Sequence, residues 1–282
     1  MERLTEEEGI KLIQDLSSCG VEKINFVGGE PMLHRHLDAW IIAAKSCGLT
    51  TSIVSNGTKM TEEWLTKMRP YLDWLGLSID ASNDGIHFLM GRGLKGEIKA
   101  GLSRHLERSK RVWRIAQRLE YGLKLNTVVT SVNAHDNMSK LVKTLRPHRW
   151  KIFRVLRILG ENDERVEPLL IDEEQFNGYM SRHRRLLHGL EGCQIVAEDN
   201  EEMLGTYAMI DPQGKAYTNL HGRYRYSKQS AVDIGFSAAW AQVMEGFSQK
   251  GFINRGGEWS WKKNGLSLPI HQDDECKAAV FG

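Results

Sequence analysis

The feature that most limits the fold is a repeated exchange of short apolar runs with longer helical stretches from Thr5 to Leu156. Thr5 and Glu8 make a capping box, Ile10, Ile13 and Leu16 recur at helical spacing, and Gly20 stands where that helix closes. The strand "KINFV" follows, then the helix "LDAWIIAAKSCG", the strand "TTSIV", the turn "SNG", the helix "TEEWLTKMR" and the strand "WLGLSID". After the loop "GRGLKG", a long basic helix is expected from about Glu97 to Arg118. The strand "LKLNTVV", a helix near Asn137 to Leu145 and the strand "WKIFRVL" complete the series. Five strands separated by helices at this spacing predict a parallel α/β sheet, open or curled into a barrel.

Beyond residue 160 the rhythm changes. "ENDERVEP" reads as a polar loop, "DEEQFNGYMSRHRRLLHG" as a helix, and "TYAMIDPQGKAYTN" as a hairpin around Pro-Gln-Gly. The tail offers a short helix, "SAAWAQVMEGF", and the loop "INRGGEW". The expected organisation is a core at 1–160 and an α+β extension at 161–282 packed on it.

Composition narrows the partners. A net charge of +2 gives no general affinity for nucleic acid or anionic membrane. No apolar run approaches the ~18 residues of a membrane span, so a soluble, cytoplasmic protein is expected. Cys19, Cys47, Cys193 and Cys276 lie far apart with no C-x-x-C spacing, which suggests neither a disulfide framework nor a metal site.

In a parallel α/β sheet, ligands gather where loops leave the carboxyl ends of the strands. The turns at those ends are "GGEP" after the first strand, "SNG" after the second, "SIDAS" closing the third, and "GRG" soon after. Strand side chains alternate, so residues two apart share a face. Lys23 with Asn25, Lys124 with Asn126, and Arg149 with Lys151 are such pairs on three strands. They are either the solvent face of an open sheet or the interior of a barrel. Inside a barrel, unpaired ammonium groups are costly and a polyanion is their natural partner. Arg225 and Arg255 are candidates to close over it from the tail.

Together and in this order, the four turns resemble those of the radical S-adenosylmethionine superfamily. The resemblance implies a partial (β/α)6 TIM-like barrel with S-adenosylmethionine as cofactor. Gly28, Gly29 and Glu30 would meet the methionine amine, Ser55 and Asn56 the ribose, and Ser78 and Arg92 the carboxylate. The residue types suit this, since Arg offers a carboxylate two parallel charge-assisted hydrogen bonds.

A narrower resemblance rests on "GVEKINFVGGEPML", "SIVSNGT", "MGRG", "LKLNTVV", "HRWKIFRVLRILGEN" and "FINRGGEW". These are similar to the viperin family of antiviral radical enzymes and run from about residue 5 to 262. The family's chemistry implies abstraction of the ribose C4′ hydrogen of a nucleoside triphosphate (CTP, UTP or GTP) and loss of the 3′-hydroxyl. The product is a 3′-deoxy-3′,4′-didehydro nucleotide, and a flavodoxin or ferredoxin is the kind of electron donor required. Tyr207 in "GTYAMI" corresponds to a family tyrosine near the ribose and is expected to supply a hydrogen atom or proton. Lys124 is a candidate general base if desolvation lowers its pKa, although a phosphate neighbour would raise it.

One departure is plain. The family holds a [4Fe-4S] cluster on three cysteines spaced C-x3-C-x2-C, and none of the four cysteines here forms that motif. The expectation is a chain lacking its first barrel strand and cluster loop, inactive as it stands, with no metal ligands of its own. Two other readings stay open: a cluster-less nucleotide-binding protein, and an unrelated α/β-barrel enzyme that uses the basic face for a sugar phosphate.

Overall fold

The structure, a computed structural model, describes residues 3–257 and the backbone of residues 278–281. The five expected strands form as β1 (Lys23–Phe26), β2 (Thr50–Ser55), β3 (Trp74–Ser78), β4 (Gly122–Val129) and β5 (Arg149–Arg154). Helices Glu6–Ser18, Leu37–Ser46, Glu62–Met68, His105–Arg118 and Ser139–Leu145 separate or flank them. The capping box is present: Thr5 Oγ1 accepts from the Glu8 amide at 3.2 Å, and Glu8 Oε2 accepts from the Thr5 amide at 2.8 Å.

Two elements differ from the sequence expectation. The long basic helix is broken into Lys95–Lys99 and His105–Arg118. Gly101 takes φ 73° between them, and Ser103 Oγ accepts the His105 amide at 3.1 Å, so a glycine and a serine end one helix and start the next. The second difference is an added strand, β6 (Gln194–Glu198), which pairs in parallel with β5 beyond residue 160.

The described residues divide into two compact units. One comprises Met1–Val54, Lys67–Trp74 and Glu201–Gly282. Besides β1 and β2 it holds β7 (Met209–Ile210), β8 (Ala216–Thr218), β9 (Arg225–Tyr226) and β10 (Ala278–Phe281). Their order is β2-β1-β10-β7-β8-β9, with β1 parallel to β2 on one side and to β10 on the other. β7 and β8 form the expected antiparallel hairpin, whose turn is tied by Asp211 Oδ1 accepting the amides of Gln213 (2.9 Å) and Lys215 (2.8 Å). The expected tail helix forms at Phe236–Ala241, and the part of the loop "INRGGEW" beyond Gly257 lies outside the described residues.

The other unit comprises Ser55–Thr66 and Leu75–Asn200, with order β3-β4-β5-β6. Alternation sorts its strand faces. Trp150 and Thr127 share one face, the indole N–H donating to Thr127 Oγ1 at 2.9 Å. The Trp150 ring meets His183 of helix Glu173–Leu186 edge-on at 5.3 Å, so this face packs against helix. Lys124, Asn126, Arg149 and Lys151 are therefore on the opposite face, with Lys124 opposite Arg149 and Asn126 opposite Lys151 in the ladder.

Helix Glu6–Ser18 packs on helix Leu37–Ser46 through Gly9, where an added Cβ would come within 2.2 Å of the Trp40 ring. That ring is anchored by its N–H to the Glu6 carbonyl at 3.2 Å. Gly9→Ala gains about 1 kcal/mol of helix propensity but overpacks a fixed indole, which costs about 1–3 kcal/mol. The expected result is a lower urea midpoint for Gly9→Ala; an equal or higher midpoint would show that Trp40 moves aside freely.

Candidate functional site

In the first unit, the chain leaves β1 through Gly28, at φ 92°, a left-handed conformation that glycine takes without steric cost. Glu30 is extended and caps the short turn Pro31–Leu33, its Oε1 accepting from the Met32 amide at 3.1 Å. This turn borders a cavity of about 340 Å³, whose other walls include Phe26, Leu37, Trp40 and Pro212. A Cβ on Gly29 would meet nothing within 4 Å, so no protein neighbour explains the glycine. The turn thus leaves open space in front of its backbone, room that a small ligand could use.

On β1 itself, Lys23 is buried, and Asn25 Oδ1 is buried without a hydrogen-bond partner. Arg255 and Tyr207 are brought together: the guanidinium sits 3.8 Å above the ring and donates to the Thr206 carbonyl at 2.8 Å. Arg225 is instead exposed on β9, 3.7 Å from Glu245.

In the second unit, Ser55 and Asn56 build their own turn. Ser55 Oγ accepts the Gly57 amide at 3.0 Å and Asn56 Oδ1 the Thr58 amide at 2.8 Å. The Ser78 carbonyl meets His105 Nε2 at 2.8 Å, and Arg92 Nε lies 2.7 Å from Asp80 Oδ2. Burial lowers the pKa of His105 and takes that of His87, whose ring contacts it, down to about 4. His87 Nε2 accepts the amides of Asp80 (3.3 Å) and Ala81 (3.2 Å), which fixes the turn after β3 around neutral imidazole.

The strand face carries the densest charge. Lys124 and Arg149 are buried, and Arg149 donates to Gln194 Oε1 at 2.8 Å. Lys151 makes a close ion pair with Glu198, which is fully buried on β6. The sequence expectation of an unpaired ammonium is thus corrected at Lys151. Burial, followed by repulsion from Lys151 and Arg149, takes the Lys124 pKa from 10.5 to about 7. Asn126 Oδ1 is buried with no hydrogen-bond partner.

Glu198 and Asp80 are the residues that sequence reasoning passed over. Alternation in "QIVAE" would have placed Glu198 on the face of Gln194; Asp80 was signalled only as an acid in a ligand-side turn.

The described cysteines do not fit a cluster. Cys19 Sγ lies 3.2 Å from Ser237 Oγ, Cys47 caps helix Leu37–Ser46, and burial pushes the Cys193 thiol up to about 11. Among the described residues no three Cys, His, Asp or Glu side chains converge as metal ligands. No described helix is long and apolar enough to cross a membrane.

Residues 1–116 match the radical SAM superfamily. The structure of anSMEcpe with bound AdoMet and a Cp18Cys peptide aligns with a TM-score of 0.68 at 16% identity, covering 88% of this chain and 76% of that one. The fold is that of the radical SAM enzymes. An S-adenosylmethionine-dependent nucleotide dehydratase of Flammeovirga pacifica is 35% identical over 261 residues, 92% of this chain and 84% of the relative. A protein of the same name from Lacinutrix mariniflava is 33% identical over 93% of this chain, which spans 52% of that relative's length. The chain belongs to the family of S-adenosylmethionine-dependent nucleotide dehydratases.

The Lys124 pKa has a testable sign. The unfolded chain holds the lysine proton up to about 10.4, whereas the folded chain releases it near 7. Stability therefore rises with pH between 7 and about 10 through this group, its penalty being full below 7 and absent above about 10.4. NMR of the labelled lysine Cε–Hε groups is expected to give Lys124 a midpoint near 7; a midpoint near 10.5 would contradict the buried, cation-flanked placement.

Proposed function

We propose that this chain forms the cofactor- and substrate-holding part of a nucleotide dehydratase acting on a nucleoside triphosphate. The carrying observation is the face formed by Lys124, Arg149 and Lys151, where three buried or half-buried cations are gathered on neighbouring positions of two paired strands, Lys151 beside the carboxylate of Glu198. Such a face suits a polyanion, and the names of the relatives supply the kind: a nucleotide.

Gly28, Gly29 and Glu30 take the amine of S-adenosylmethionine, Ser55 and Asn56 its ribose, and Ser78 and Arg92 its carboxylate. That cofactor supplies, when cleaved, a hydrogen-abstracting group. The described cysteines offer no cluster site, and the chain by itself is proposed to bind without turnover. Lys23, Asn25, Asn126, Arg225 and Arg255 complete the substrate set. Tyr207, held flat by Arg255, is the assigned source of a hydrogen atom or proton for the ribose. The dehydration proposed breaks the ribose C4′–H and C3′–O bonds and leaves a 3′-deoxy-3′,4′-didehydro nucleotide; the hydroxyl departs as water, taking one proton, and the one electron this requires comes with the Tyr207 hydrogen atom or from a flavodoxin- or ferredoxin-type donor. Lys124 is better suited to clamp than to base, because an adjacent phosphate restores its charge.

Calorimetry of the parent chain with CTP, UTP and GTP, their monophosphates and a sugar phosphate tests this reading. One triphosphate is expected to bind at least tenfold tighter than its monophosphate. Each cation–phosphate contact contributes about 1.5–3 kcal/mol, so Arg149→Met with Lys151→Met is expected to lose a hundredfold or more. Equal binding by the double variant, or preference for the sugar phosphate, would overturn the proposal.

A further inference from the structure

Arg92 is half-exposed, with 38% of its side chain open to solvent, yet its partner Asp80 is 1% exposed. A buried carboxylate demands a reason, and the contacts around Asp80 show how firmly it is placed. Its Oδ1 accepts the Val128 amide of β4 at 2.8 Å. Its carbonyl accepts from Asn133 Nδ2 at 2.6 Å, and its amide is turned to His87 Nε2. Arg92 is fixed from behind as well, its carbonyl accepting the Ser103 hydroxyl at 2.6 Å and its amide donating to the His87 carbonyl at 2.8 Å. The ion pair is made by Nε, at 2.7 Å from Oδ2, and Oδ2 has no aligned hydrogen-bond donor. The clasp is therefore mainly Coulombic and uses the Nε side of the guanidinium, not its terminal edge.

We propose that Asp80 is a positioning residue: it holds Arg92 by Nε so that the two Nη groups are kept for the carboxylate of a bound amino-acid moiety. The inference rests on the reading of Arg92 as the partner of the S-adenosylmethionine carboxylate. It adds the group that makes this arginine competent. A guanidinium has five N–H donors in a planar fork, and a ligand carboxylate is best met by two parallel N–H bonds from one edge. An arginine left to choose its rotamer would lose side-chain entropy on binding; one clasped by a buried carboxylate has lost it on folding. Asp80 also offsets the guanidinium charge, so the pair attracts a carboxylate by directed hydrogen bonds more than by net charge.

The experiment uses two probes, S-adenosylmethionine and its decarboxylated analogue, against the parent, Asp80→Asn, Asp80→Ala and Arg92→Ala. Affinity is measured by calorimetry, and the ratio between the two probes within one variant is the readout, since a general loss of folded protein lowers both alike. The parent is expected to prefer the carboxylate-bearing probe by roughly ten- to a hundredfold, the worth of a charge-assisted hydrogen bond. In Arg92→Ala and Asp80→Ala that preference is expected to fall towards unity. Asp80→Asn keeps an oxygen for the Val128 amide but loses the charge, and is expected to lose most of the preference while its melting temperature stays closer to the parent than that of Asp80→Ala. If Asp80→Asn does not fold, Arg92→Lys with Asp80 intact tests the same point, since an ammonium has no second edge to present and should lose the preference. A parent preference that survives in both Asp80 variants, or in Arg92→Lys, overturns the positioning role. A parent with no preference overturns the reading of Arg92 beneath it.

Discussion

The structure depends most on the burial of positive charge along one face of β4 and β5. An ammonium taken out of water either finds a carboxylate or gives up its proton. Both outcomes are represented on this face: Lys151 is paired with Glu198, and Lys124, opposite Arg149, is held near a pKa of 7. Packing alone does not call for this. Apolar residues of similar volume would satisfy the same face at lower cost. On the function proposed above, the occupant that brings negative charge to this face is the nucleotide.

The turns after the strands follow a different logic. They need shape and directed donors, and their side chains serve largely to hold backbone. Ser55 and Asn56 cap the amides of Gly57 and Thr58, Glu30 caps the turn at Pro31, and His87 accepts two amides after β3. Rigid turns set before binding reduce the ordering cost of a small ligand. The same residues that the family resemblance assigns to a cofactor therefore have a structural role without it.

Much of this was legible in the sequence, and the failures are instructive. Period-two alternation found the polar pairs on β1, β4 and β5 because the residues flanking each pair on the strand's other face are mostly apolar: Ile24 and Phe26, Leu123 and Leu125, Trp150 and Ile152. It missed Glu198 because β6 is short and polar at both ends, so "QIVAE" does not stand out as a strand and its alternation goes unread. The break between Lys95–Lys99 and His105–Arg118 was hidden by helix-forming cations on both sides of Gly101, whose positive φ decides the matter. The Asp80–Arg92 pair was invisible for another reason: it joins two turns, and turn-to-turn contacts leave no periodicity.

The central claim is that the strand face is held short of full charge until a polyanion arrives. Triphosphate titration at pH 8 by calorimetry, in two buffers of widely different ionisation enthalpy, measures the protons exchanged on binding. At that pH Lys124 is mostly neutral and the triphosphate fully ionised, so the account predicts uptake of about one proton per nucleotide bound. Binding with no proton uptake, or with release, would show that Lys124 is already charged and that the face is not built as described.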